Sequence, residues 1–218
     1  MLKQPPTISV LAGVNGAGKS SIAGKFLQKA GDAFFNPDTV AQQIRTLHPS
    51  ISLTLAIAHA WQIGKSLLEQ AIAGGHDYRF ETTLGGRTIA QLLEKAARSG
   101  HRLRIWFCGL ASPELHLRRV QSRVALGGHD IPEDKIRERW NRSRENLVRL
   151  LPLIDHLRVY DNSADADPAE GLKPQPVLLL EMKRGTITAP ADLSGAPDWA
   201  KPVIAAAIHL HTAGRSTA

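Results

Sequence analysis

The stretch "GVNGAGKS", residues 13 to 20, fits the spacing G-x-x-x-x-G-K-[S/T] without a mismatch. Glycines at 13, 16 and 18 let a backbone curl until successive N–H groups converge on phosphate oxygens, at the positive end of the helix that follows. The loop therefore reads as the cradle of a nucleoside triphosphate, ATP with GTP as the alternative, and Val14, Asn15, Ala17 and Ser21 complete it. Lys19 suits the β- and γ-phosphates as a point charge, and the Ser20 hydroxyl suits Mg²⁺.

A cradle leaves the fate of the γ-phosphate open, because P-loop chains include motors, switches and kinases. In a parallel α/β sheet the ligand lies beyond the carboxyl ends of the strands, so the residues that close each strand come next. "FFNPDTVA" closes one candidate strand at Pro37 and puts Asp38 at its tip, ahead of a helix. Asp38 reads both as an N-cap and as a carboxylate able to take a proton from an acceptor hydroxyl or to hold a Mg²⁺-bound water. "RFETTLGGR" closes another strand with Glu81, Thr82 and Thr83. A glutamate in an otherwise buried strand is costly unless something is there to be bound. Glu81 with Thr82 or Thr83 suits the hydroxyls of an acceptor, and Glu81 alone suits the acidic partner of Mg²⁺.

Arginines form the third group. Arg123 ends one helical stretch, "LGGHD" follows, and a second helical stretch carries Arg139 and Arg142 beside an apolar stripe of Ile136, Trp140, Leu147 and Leu151. A helix–loop–helix flap of this kind can close over phosphates, exclude water and offset developing charge.

Positioning these groups requires a βαβ order, and apolar strand-like runs do alternate with longer helical patterns. Strands are predicted at 7–12, 33–36, 77–82, 102–110 and 157–162, with helices beginning near Gly18, Thr39, Ser52, Thr88, Pro113 and Pro132. "SPEL" fixes one of those starts, with Ser112 as N-cap, Pro113 as the first helical residue and Glu114 at the positive end. After Asn162 the texture changes: residues 164–218 hold six of the 13 prolines, the apolar run "PVLLLEM" and a final "KPVIAAAIHL". The expected organisation is a domain over 1–163 and an appendage over 164–218, a strand or hairpin and a short helix packed on the core, ending in a frayed tail "HTAGRSTA".

The 218 residues, 43% hydrophobic and 22% charged, are ordinary soluble composition for one domain with a full core. The single cysteine, Cys108, lies in the apolar run "RIWFCGL" and reads as a buried, inert thiol. No basic-then-apolar N-terminal signal and no spanning run of about 20 apolar residues is present, so no membrane partner and a cytoplasmic location are expected. The net charge of +7 concentrates between Arg118 and Arg149, where nine Lys/Arg face five Asp/Glu. Arginine forks recognise phosphate on small molecules and on polynucleotides alike. Without interleaved exposed aromatics, nucleic acid ranks last among the partners.

Taken in order, "AGVNGAGKSS", "NPD", "FETTL", "GGHDIP", "RERWNRS" and "VYDNS" resemble the zeta-toxin-like P-loop kinases over residues 7 to 163. The resemblance implies an α/β fold with a nucleoside-monophosphate-kinase-like core, a central five-stranded parallel sheet and a helical lid. It implies transfer of the γ-phosphoryl group of ATP to a hydroxyl of a nucleotide-linked small molecule, UDP-N-acetylglucosamine in the best-studied toxins, and an antitoxin protein as a partner. Residue by residue, Asp38 matches the base, Glu81 a substrate-holding carboxylate, Lys19 and Ser20 the phosphate-loop lysine and Mg²⁺ ligand, and Arg123 the first lid arginine. His129 and Asp130 stand where the toxins place a second lid arginine, and Arg139 or Arg142 takes over that role. The rival reading is a nucleotide-dependent regulatory ATPase or switch in which Asp38 is only a cap.

Overall fold

In the computed structural model, which describes residues 4–22, 34–164 and 175–215, the apolar run Thr7–Ala12 is strand β1, buried from Ile8 onward. Strands β2 (Tyr78–Thr82), β3 (Arg102–Gly109) and β4 (His156–Asp161) pair in parallel, β2 and β3 flanking β1 and β4 lying beside β3. β5 (Val177–Lys183) and β6 (Thr186–Ala189) extend the same sheet antiparallel, giving the order β2-β1-β3-β4-β5-β6.

The α/β class stands, but five parallel strands become six in a mixed sheet. Of the expected strand at 33–36, only Phe35 forms a bridge, to Phe80; position 33 lies outside the described residues. Phe35 N–H donates to Arg79 O at 2.9 Å and Phe35 O accepts from Glu81 N at 2.9 Å. Pro37 then starts a helix, which ends the pairing after one residue. The fifth and sixth strands both come from the proline-rich tail, as a hairpin whose first strand runs through "PVLLLEM".

Helix starts follow their sequence signals. α1 (Pro37–Leu47), α2 (Leu53–Gly74), α3 (Arg87–Arg98), α4 (Pro113–Ala125), α5 (Glu133–Leu150) and α6 (Lys201–Arg215) stand in chain order. Residues 20–22 open a further helix whose continuation lies outside the described residues. The Ser112 hydroxyl accepts from Leu115 N at 3.3 Å as the cap of α4, and that of Ser52 accepts from Leu55 N at 3.2 Å as the cap of α2. The stretch "HTAGR" of the expected frayed tail continues α6 as far as Arg215. No helix among the described residues is long and apolar enough to cross a membrane.

One large core joins the sheet to its helices. Ile8, Val10, Ile105, Phe107 and Val159 from the strands meet Leu93 of α3 and Leu147 of α5, together with Leu180 and Met182 of β5 and Val203 of α6. Leu180 is fully buried at the strand pairing with Val159. Leu180→Ala is expected to lower unfolding free energy by about 2–5 kcal/mol, measured by urea denaturation. A loss under about 0.5 kcal/mol, typical of a surface site, would mean that the hairpin only decorates the fold.

Candidate active site

The parallel strands all finish at one rim of the sheet, and the phosphate loop leaves β1 there. Gly13 N–H donates to Thr82 O at 3.2 Å. Its φ is +146°, and a side-chain carbon on Gly13 would stand 2.3 Å from the Cys108 carbonyl, so only glycine lets β1 and β3 close this tightly. Val14 is buried with Val120, Ile131 and Ile136, which anchors the loop to the flap. Gly16 lies against the His116 carbonyl, Ala17 is buried, and Gly18 lies against the Asn162 amide. Ser20 is exposed at the start of its helix, and Ser21 N–H donates to Gly18 O at 2.9 Å.

Lys19 is only 8% exposed. Its Nζ donates to Gly13 O at 2.7 Å and lies 3.4 Å from Glu81 Oε1. A buried ammonium needs such partners. Glu81 Oε2 in turn accepts from Asn36 Nδ2 at 3.1 Å, so one carboxylate links the phosphate loop to the start of α1. Thr82 and Thr83 turn their hydroxyl oxygens to Leu84 N at 3.1 Å and Gly85 N at 3.4 Å, which shapes the loop after β2. Both still line the cleft.

The cap of α1 is Asn36 rather than Asp38. Asn36 Oδ1 accepts from Asp38 N at 2.9 Å and Thr39 N at 3.2 Å. Pro37 follows the cap directly, and the order Asn-Pro in the sequence was the signal for it. Asp38 is thereby released from capping, and its Oδ2 stands 4.0 Å from Arg123 Nη1. Arg123 leaves the last turn of α4, and its other terminal nitrogen donates to His129 O at 3.1 Å, which ties the "LGGHD" loop down.

The two other arginines of the flap part company. Arg139 Nη1 donates to Asn15 Oδ1 at 2.9 Å, so α5 touches the phosphate loop directly. Gly85 permits it, because a side-chain carbon there would stand 2.7 Å from Arg139 Cγ. Burial lowers the Arg139 pKa from its ordinary value, yet arginine remains a cation at neutral pH. Arg142 lies half-exposed and is paired with Glu138 one turn earlier. Asn146 Nδ2 donates to Leu84 O at 2.7 Å and steadies the same loop from below.

These groups surround a cleft of about 680 Å³. Asn15, Lys19, Asp38, Glu81, Arg139 and Arg142 line it, together with the apolar Phe35, Ile57 and Trp61 and the lysines Lys65 and Lys135. Trp61 sits on α2 and is 41% exposed. No spacing in the sequence marked it, since an aromatic on an amphipathic helix ordinarily reads as core. Among the described residues no cluster of three or more His, Cys, Asp or Glu is built to hold a metal. Ser20 with the phosphates themselves suits Mg²⁺, which keeps few protein ligands.

Two buried groups brace the loop from behind. Cys108 is a free, buried thiol that donates to Ala17 O at 3.1 Å, and burial pushes its pKa up to about 12. His116 Nδ1 lies 2.8 Å from Asn15 O. A carbonyl only accepts, so Nδ1 carries the proton, and Nε2 is buried without a hydrogen-bond partner. Burial lowers the His116 pKa to about 4 from 6.5. Between those values the unfolded chain binds the extra proton and the folded chain resists it. The stability from this neutral imidazole is therefore intact above about pH 6.5 and lost as pH falls toward 4, up to about 3 kcal/mol. Comparing unfolding free energies of the wild type and His116→Leu at pH 7 and 4.5 checks this: the variant should lose less on acidification, and equal losses would rule His116 out.

Residues 2–167 match the family model described as Zeta toxin. An uncharacterized protein of Haemophilus influenzae is 32% identical over 128 residues, 59% of this chain and 88% of that protein. A chain of the AvrRxo1-ORF1:AvrRxo1-ORF2 structure with sulphate ions aligns at TM-score 0.61 and 18% identity over 87% of this chain and 61% of that one. The same complex with ATP aligns at 0.58 and 16% identity, over 93% and 63% of the two chains. The PezAT chromosomal toxin-antitoxin system of Streptococcus pneumoniae aligns at 0.51 and 18% identity, over 73% and 68%. This chain thus spans about three fifths of the AvrRxo1 chains it matches, and at such identities the likeness is one of fold. The family match takes in the phosphate loop, Asp38, Glu81 and all three flap arginines, and with it the chain belongs to the zeta toxin family of P-loop kinases.

Proposed function

We propose that this protein transfers the γ-phosphoryl group of ATP, or of GTP, to a hydroxyl of a nucleotide-linked small molecule, with UDP-N-acetylglucosamine the first candidate. The observation that carries this reading is the Asp38 carboxylate: uncommitted to helix capping, it lines the same cleft as Lys19 and stands 4.0 Å from Arg123 Nη1. Asp38 takes the proton from the acceptor hydroxyl as that oxygen attacks the γ-phosphorus. The bond between the γ-phosphorus and the bridging oxygen breaks, and the nucleoside diphosphate leaves. Loop amides and Lys19 hold the phosphates, while Arg123 and Arg139 offset charge on the transferred group. Glu81, tied to Asn36, orients the acceptor together with Thr82 and Thr83. Ser20 would be the residue that holds Mg²⁺, and the ion would supply charge neutralisation on the phosphates.

The apolar part of the cleft lining supports an acceptor with a flat ring. Trp61, Phe35 and Ile57 offer that surface, while Lys65 and Lys135 at the same cleft are paired with Glu69 and Glu138. PezAT is a toxin-antitoxin system, and by kinship an antitoxin-like protein is the partner class assigned here. Incubating the purified protein and Mg-ATP with nucleotide-sugars and nucleotides, read by mass spectrometry, tests the reaction. A product 80 mass units heavier than one acceptor, the added HPO₃, is expected. Release of free phosphate alone, with every acceptor unchanged, would favour the regulatory ATPase instead.

A further inference from the structure

Trp199 lies beyond residues 2–167, the part of the chain that matches the family, yet it reaches the phosphate loop in three steps. It is 3% exposed, and its indole Nε1 donates to Asp161 Oδ1 at 2.9 Å. Its ring packs on Gly109, where a side-chain carbon would stand 2.2 Å from Cη2. Asp161 also accepts from the Ser163 hydroxyl, whose oxygen accepts from Ala111 N at 2.7 Å. The turn 161–163 is thereby pinned on both sides of Asn162.

Asn162 is fully buried and meets the loop itself. Its backbone N–H donates to Gly109 O at 3.0 Å, and its Nδ2 donates to Ala17 O at 2.9 Å. Its Oδ1 is buried with no hydrogen-bond partner, so this amide is held in place at a cost. Gly18 leaves room for it, since a side-chain carbon there would stand 2.2 Å from Nδ2. The carbonyl and the N–H of a trans peptide point opposite ways. With Ala17 O drawn toward Asn162 and Cys108, the Gly18 N–H faces away from them.

We propose that Asn162, and Trp199 acting through Asp161, are positioning residues that hold the Ala17–Gly18 peptide of the phosphate loop in one orientation. The C-terminal segment is then a working part of the nucleotide site. This rests on the reading of residues 13–20 as a nucleotide cradle. It reaches the flap as well, because Trp199 O accepts from Arg144 Nη1 at 3.2 Å and the Arg144 guanidinium lies 3.6 Å over the Trp140 ring.

The test uses the full chain with Asn162→Ala and, separately, Trp199→Phe, which keeps an aromatic ring near Gly109 but deletes the N–H donor. Two quantities are read beside the melting temperature: backbone amide exchange of residues 13–22 without nucleotide, and the ATP dissociation constant by calorimetry. Both variants should exchange faster in the loop. ATP binding should weaken about 10-fold in Asn162→Ala and by a smaller factor in Trp199→Phe. Unchanged loop exchange and affinity in both variants, with only a lowered melting temperature, would overturn the proposal and leave Trp199 a packing residue. If the wild type fails to bind ATP while both variants still loosen the loop, the nucleotide reading falls and the positioning role stands.

Discussion

Asp38→Asn is expected to lower phosphoryl transfer by about 10²–10⁴-fold, the range a positioned general base supplies, with ATP affinity within about two-fold of wild type. The substitution keeps the side chain's shape and removes its negative charge, and with it the ability to accept the proton. It leaves α1 intact, because Asn36 provides the cap through its own Oδ1. Had Asp38 been the cap, loss of activity in this variant would be confounded with fraying of the helix. The clean assay is therefore single-turnover transfer at saturating ATP, alongside ATP calorimetry and melting temperature. Full transfer by Asp38→Asn would remove the base from the reaction. Unaltered melting with abolished transfer separates the kinase reading from the switch, in which Asp38 contributes to structure alone.

The site was more legible in the sequence than the sheet that carries it. The phosphate loop is a local conformation written by its own glycines and lysine, so its reading needs no distant partner. The α4 start is equally local, with Ser112, Pro113 and Glu114 in consecutive positions. Strand pairing is not local. The run 33–36 has strand-like residues, but Pro37 has no N–H to donate and starts α1, leaving a bridge at Phe35 alone. The hairpin β5–β6 completes the sheet because Tyr160 and Val159 of β4 leave an edge that Leu178 and Leu180 cover. A proline-rich tail gives no local sign of that edge. Asn146 and Asn162 were missed for one shared reason: each acts through a side-chain amide on backbone far away in sequence, Asn162 on Ala17 and Asn146 on Leu84. Asn36 alone carried a near signal, its place before Pro37.

The flap arginines show where three-dimensional information decides between equal sequence candidates. Arg139 and Arg142 are three positions apart on α5 and read alike. In the fold, Arg139 is drawn over Gly85 onto Asn15 of the phosphate loop, while Arg142 turns back to Glu138. A guanidinium taken partly out of water acts on phosphoryl charge through a lower effective dielectric than an exposed, already paired one. Arg123→Ala and Arg139→Ala are therefore each expected to lower transfer by about 10³-fold or more, as removal of an arginine finger does. Arg142→Ala, which deletes a half-exposed ion pair, should stay within about five-fold. Gly85→Val offers an independent check, because it displaces Arg139 without deleting it and should lower transfer in the same direction. Equal losses for Arg139→Ala and Arg142→Ala would mean that the flap closes into an arrangement different from the contacts seen here. Loss confined to Arg142→Ala would reverse the assignment and make the Arg139–Asn15 contact a purely structural clasp.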